Sequence, residues 1–140
     1  MIEDAYDEPY AGGFAGGVHR FALRVYFEDT DLTGIVYHAN YLRYLERARS
    51  DMLRAAGIDQ RAAHEAGQGA YAVADLAIRY RRPARLDDAL AVHSRVVGVR
   101  AASCAIHQAV MRGDEVLAEA DVTAAFLSPD GRPRRQPRAW

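Results

Sequence analysis

Residues 39–56 read A-N-Y-L-R-Y-L-E-R-A-R-S-D-M-L-R-A-A, and Gly57 follows. Tyr41, Tyr44, Leu45, Ala48, Met52 and Ala55 recur at steps of three and four, which places them on one side of a helix of about five turns. Arg43, Glu46, Arg47, Arg49, Ser50 and Arg54 fill the other side. Gly57 can take the left-handed conformation that ends a helix. A second, shorter helix is expected over residues 59–66.

Outside this region the period drops to two. Upstream, Phe21, Leu23, Val25 and Phe27 alternate with Arg20, Arg24 and Glu28, which predicts a strand over residues 19–28. Downstream, four alternating sets follow. They are carried by Ala72 to Tyr80, Leu90 to Val96, Cys104 to Val110, and Val116 to Phe126. Pro83 ends the first set, and Val99–Ala102 and Arg112-Gly113-Asp114 read as hairpin turns. Strands joined by such short turns pair antiparallel. One long helix with one apolar stripe can bury that stripe only against the sheet. The expectation is an α+β hotdog fold: an antiparallel sheet of about five strands wrapped around one long central helix.

The chain has 140 residues, half of them apolar, which suits one domain with its own core. Residues 1–17, acidic and with four glycines, read as a flexible extension, and 18–140 as the folded domain. The net charge of −1 argues against a nucleic-acid partner. All 18 basic residues are Arg, so lysine Schiff bases and the phosphate-loop lysine are excluded. Cys104 stands alone and can form no intrachain disulfide. No segment has the ~18 consecutive apolar residues of a membrane span, and the N-terminus lacks a signal-peptide pattern. A cytoplasmic protein is the expectation. The five histidines lack metal-pair spacing, no serine sits in a G-x-S-x-G elbow, and no glycine-rich phosphate motif occurs. No metal or cofactor is expected.

Chemistry concentrates just before the long helix. The stretch Y-F-E-D-T-D-L-T-G-I-V-Y-H-A-N-Y, residues 26–41, sets three acids at a strand exit, a glycine turn, and His38 where the helix begins. A helix N-terminus offers unpaired N–H groups and a positive dipole end, which can hold an oxygen gaining negative charge. A nearby carboxylate can attack a carbonyl or deprotonate water. Thioesters suit this minimal set, because a thiolate leaves with little acid assistance. Aspartate and threonine before a helix also serve purely as turn formers and caps, and Tyr37, Tyr41 and Tyr44 as packing.

The blocks V-Y-F-E-D-T-D, T-G-I-V-Y-H-A-N-Y-L-R-Y-L-E-R-A-R, D-M-L-R-A-A-G-I and R-Y-R-R-P-A-R-L-D-D-A-L resemble the 4-hydroxybenzoyl-CoA thioesterase superfamily, within it the YbgC-type acyl-CoA thioesterases associated with the Tol–Pal system. The resemblance runs from about Val18 to Pro137. It implies that Asp31 is the catalytic aspartate, as nucleophile or general base. It further implies that His38 is the active-site histidine, whose backbone N–H polarises the thioester carbonyl. Phe27 departs from the pattern, which often has tyrosine there. The resemblance also implies dimers with joined sheets, commonly paired into tetramers, and active sites between subunits.

Coenzyme A would enter only as part of the substrate. Its phosphates call for arginine forks. Arg79, Arg81, Arg82 and Arg85 form the preferred cluster, and Arg132, Arg134, Arg135 and Arg138 form another. Ile35, Tyr37 and Tyr41 are expected to line the acyl pocket. A thioester on acyl carrier protein stays open as a substrate. Two competing readings share the fold: a hydratase or dehydratase, and a non-catalytic acyl-binding or interaction protein of the envelope.

Overall fold

The computed structural model describes residues 5–137. In chain order the elements are β1 (Gly13–Ala15), β2 (Val18–Arg24), a 3-10 turn (Phe27–Asp29), α1 (Asn40–Ala55), α2 (Gln60–Glu65), β3 (Ala70–Tyr80), β4 (Ala89–Val99), β5 (Ser103–Arg112) and β6 (Glu115–Leu127). The strands form one antiparallel sheet in the order β1-β2-β4-β5-β6-β3. Both expected hairpins are present, with Gly113 at φ 60° in the turn between β5 and β6.

The apolar stripe of α1 lies on the sheet as its spacing requires. Tyr41, Tyr44, Leu45, Ala48 and Met52 are buried, whereas Ala55, in the last turn, is exposed because the stripe runs off the sheet there. Tyr41, Tyr44, Leu45 and Ala48 share one core cluster with Leu90 and Val92 from β4, Val110 from β5, and Leu117, Ala118, Ala120 and Val122 from β6. A fully buried Val, Leu or aromatic side chain contributes about 1.5–3 kcal/mol, so this face dominates the hydrophobic stabilisation. Among the described residues β3 has β6 as its one ladder partner and is mostly exposed, which makes it a long sheet edge.

Three differences from the sequence reading have physical causes. The first strand stops at Arg24, four residues early. The Asp29 carboxylate accepts from the Tyr26 N–H (2.8 Å) and turns the chain into the 3-10 segment, leaving Phe27 82% exposed. The sheet has six strands, since residues 13–15 of the stretch read as a flexible lead-in pair with β2. That edge is held from below: the Gly12 N–H donates to Asp51 Oδ2 at 2.9 Å, and the same oxygen lies 2.7 Å from His19 Nε2. Finally, Val96 keeps its register opposite the buried Ile106 yet is 46% exposed, and a bulge between Val96 and Gly98 breaks the alternation of β4 beyond it.

Candidate active site

The segment between the 3-10 turn and α1 is a tight loop folded on itself. The Asp31 N–H donates to Ile35 O (2.9 Å), the Gly34 N–H to Asp31 O (3.1 Å), and Thr30 bridges to Val36. Gly34 sits at φ 81°, a conformation that favours glycine. The loop is also tied to the helix: Asp29 O accepts from the Tyr37 N–H (3.0 Å) and from Asn40 Nδ2 (2.9 Å).

The R-R-P-A-R-L-D-D turn docks on the other side of this loop. The Val36 N–H donates to Ala84 O at 2.8 Å, and Ile35 bridges to Arg85. The Ala84 N–H donates to the buried Tyr41 hydroxyl at 3.0 Å. Thus two of the four sequence blocks that carry the family resemblance are joined by a short run of main-chain bonds.

Between them lies a cavity of about 250 Å³, walled by Ile35, Val36, His38, Tyr41, Tyr80, Arg81, Arg82 and Pro83. Of the expected substrate-binding residues, Ile35, Tyr41, Arg81 and Arg82 share this cavity with His38. Tyr37 is not in the wall; its ring packs on the His38 ring with centroids 4.6 Å apart. Arg79 lies opposite Glu119 in the ladder, and the Arg85 N–H donates to Asp88. Arg81 is held by Glu119 (2.6 and 2.9 Å) and Arg82 by Glu115 (3.3 Å). The second arginine cluster stands elsewhere. Arg134 donates to the carbonyls of Gly67 and Gln68, just before β3, whereas the cavity adjoins the end of that strand. Eleven residues of strand span roughly 35 Å within one protomer. Arg138 lies outside the described residues.

The opening of α1 is bare. Its N-cap is Ala39, with no side-chain cap. The Asn40, Tyr41 and Leu42 N–H groups close local turns onto Tyr37, His38 and Ala39 carbonyls. Among the described residues, the His38 and Ala39 N–H groups have no hydrogen-bond acceptor. Neither Asp nor Thr caps this helix, in contrast to α2, where Asp59 accepts from the Ala62 N–H.

Asp31 lies on the exposed loop and is not part of the cavity wall. Its Oδ1 accepts from both the Thr33 hydroxyl (2.5 Å) and the Thr33 N–H (2.8 Å). The Thr33 hydroxyl, then the Thr33 amide, hold the carboxyl below the usual aspartate range, so it is charged at neutral pH.

Sequence reasoning missed Tyr80. Its hydroxyl donates to His38 O at 2.9 Å, and its ring is edge-on to His38 and Tyr41. The available signal was an aromatic at a strand end immediately before an arginine–proline turn.

The chain matches the family model for the thioesterase-like superfamily over residues 25–138. It is 44% identical over 107 residues to the acyl-CoA thioesterase YbgC of Haemophilus influenzae, covering 76% of this chain and 79% of the relative. Identity to the acyl-CoA thioester hydrolase YbgC of Escherichia coli is 37% over 122 residues, covering 86% and 90%. The crystal structure of a probable thioesterase from Bartonella henselae superposes with a TM-score of 0.81 at 35% identity, covering 86% of this chain and 99% of that one. A hotdog sheet around one long helix, a helix opening left bare beside a cavity, and relatives matched over most of their length lead to one assignment: the chain belongs to the thioesterase-like superfamily.

Proposed function

We propose that this protein hydrolyses acyl-CoA thioesters at the His38–Tyr80 cavity, with Asp31 supplying the attacking or water-activating carboxylate. The observation that carries the reading is the bare opening of α1. Two consecutive N–H groups without acceptors stand at the positive end of a helix, and the loop bearing Asp31 is hydrogen-bonded back onto that opening. A carbonyl oxygen lodged there gains stabilisation as it becomes negative. The carboxylate then acts by one of two routes. It attacks the carbonyl carbon, expels the CoA thiolate and leaves an anhydride for water to cleave, or it takes a proton from a water that attacks directly. Both routes yield free acid and CoA thiol.

The His38 imidazole, between Tyr37 and Tyr80, borders the reacting group in this reading. Arg81 and Arg82 offer guanidinium forks to the CoA phosphates, which would compete with Glu119 and Glu115 for them. A second copy along β3 would take Asp31 out of bulk water, in keeping with the resemblance to dimeric enzymes; the same site accepts an acyl carrier protein thioester as an alternative carrier. Relatives named as acyl-CoA thioesterases support the substrate class.

The test is thiol release from a panel running from acetyl-CoA to palmitoyl-CoA plus benzoyl-CoA, with crotonyl-CoA absorbance as the measure of hydration. Hydrolysis is expected, with kcat at least tenfold lower in Asp31→Asn and equally or less reduced in His38→Ala, and with unchanged circular dichroism. Parental rates in Asp31→Asn would refute the carboxylate mechanism, and turnover of crotonyl-CoA by hydration alone would refute the reaction class.

A further inference from the structure

We propose that Tyr80 is a positioning residue: its hydroxyl fixes the peptide that opens α1, and through that peptide the direction of the free amides. The proposal rests on the thioester-hydrolysis reading above. Tyr80 is the last residue of β3 and pairs with Ala118 of β6. The next two N–H groups, of Arg81 and Arg82, both donate to Leu117 O (2.8 and 3.1 Å). The Tyr80 backbone is therefore held by the sheet, independently of the helix.

From that anchor the phenol donates to His38 O at 2.9 Å. The carbonyl's other contact, from the Tyr41 N–H, is 3.4 Å long, outside the usual range for such bonds. The Tyr80 hydroxyl is thus the stronger of the two constraints on this group. His38 C=O and Ala39 N–H belong to one planar trans peptide and point in opposite directions. Fixing the carbonyl fixes where the Ala39 N–H points, and limits the rotation of the neighbouring His38 N–H.

The ring adds a second contact. It stands edge-on to His38 (6.2 Å, 87°) and Tyr41 (5.3 Å, 75°), so one side chain touches the imidazole, the opening peptide and the cavity wall. Burial raises the phenol's pKa, which keeps it a hydrogen-bond donor through the neutral range. A packing role would need only the ring. The hydroxyl is what the positioning role requires, and that makes the two separable.

The experiment compares the parent, Tyr80→Phe, Tyr80→Ala and Asp31→Asn by thiol release with the fastest acyl-CoA of the panel, alongside thermal unfolding. In Tyr80→Phe, kcat is expected to fall about three- to tenfold, the loss of one hydrogen bond, with KM within about twofold. The unfolding temperature should stay within about 3 °C. Tyr80→Ala should raise KM as well, because the wall is lost. Parental kcat in Tyr80→Phe overturns the proposal, as does a kcat loss accompanied by equal changes in KM and unfolding temperature. An active parent with parental Asp31→Asn rates but slowed Tyr80→Phe would support Tyr80 and remove the carboxylate mechanism. A parent inactive on every thioester would overturn both readings.

Discussion

Asp51→Ala tests whether a buried histidine–aspartate hydrogen bond holds the sheet edge to the central helix. Asp51 lies on the buried side of α1 and is 5% exposed, and His19 of β2 is 0% exposed. Asp51 Oδ2 meets His19 Nε2 at 2.7 Å and the Gly12 N–H at 2.9 Å. His19 Nδ1 has no partner, so the ring depends on Asp51 for its hydrogen bonding. Removing one partner of a buried hydrogen bond leaves the other unsatisfied without access to water, which costs about 1–3 kcal/mol. Gly12 is less buried, and its N–H regains water when the edge opens, so the fully buried His19 nitrogen sets the cost, at about 2–3 kcal/mol. For a domain of this size each kcal/mol moves the unfolding midpoint by roughly 3–4 °C, so Asp51→Ala should unfold about 6–12 °C below the parent. Circular dichroism melts supply the number. A cycle with His19→Phe should show coupling of about 2 kcal/mol between the two positions. Chymotrypsin should cut at Phe14, in β1, sooner in Asp51→Ala than in the parent. A midpoint within about 3 °C of the parent, or strictly additive single substitutions, would refute the clamp.

Two further outcomes follow from local geometry. Thr33 holds the Asp31 pKa below its ordinary value, so the charged form persists to lower pH and is lost only as pH falls through that depressed value. The Asp31-dependent activity should therefore be level between pH 7 and about pH 5, and Thr33→Val should move the acid limb upward toward the ordinary aspartate range, read from a pH–rate profile. Gly69 adopts φ +135°, and a Cβ there would lie 2.2 Å from Leu127 O and 3.0 Å from Phe126 Cε2. Gly69→Ala should cost about 3 kcal/mol or more, measured as a lower urea midpoint with little change in slope, because the start of β3 has to move away from β6.

The elements with strong periodicity were legible in detail. The helix expected over 39–56 is Asn40–Ala55, and the second expected over 59–66 is Gln60–Glu65, with Asp59 as its cap. The alternation of β6 also holds, with Ala118, Ala120, Val122, Ala124 and Phe126 buried. Phe27 misled because it continues the two-residue period one step beyond the point where Asp29 captures the Tyr26 N–H. The N-terminal edge strand misled for another reason: its glycines carry no apolar signal. Gly12 is needed because a Cβ would meet Arg20 O at 2.2 Å, a constraint that exists only once the edge is paired.

At the candidate site, the residue types were readable and their grouping was not. The sequence singled out Asp31 and His38, and it named Ile35, Tyr41, Arg81 and Arg82, which with His38 share one cavity. It could not separate Tyr37 from that wall, nor find Tyr80, because each depends on where a side chain is aimed by the packing of the strand or loop that carries it.

By itself the sequence determined the helix, the alternating strands and the antiparallel pairing, because each follows from spacing along the chain, and the family through the resemblance of its motif blocks. Only the tertiary structure decided that the helix opening has no cap, that residues 35–36 and 84–85 are stitched together, and that a tyrosine from the far edge strand reaches the first turn of the helix. The last two join residues more than forty positions apart. They exist only after the core has fixed the distance between helix and sheet.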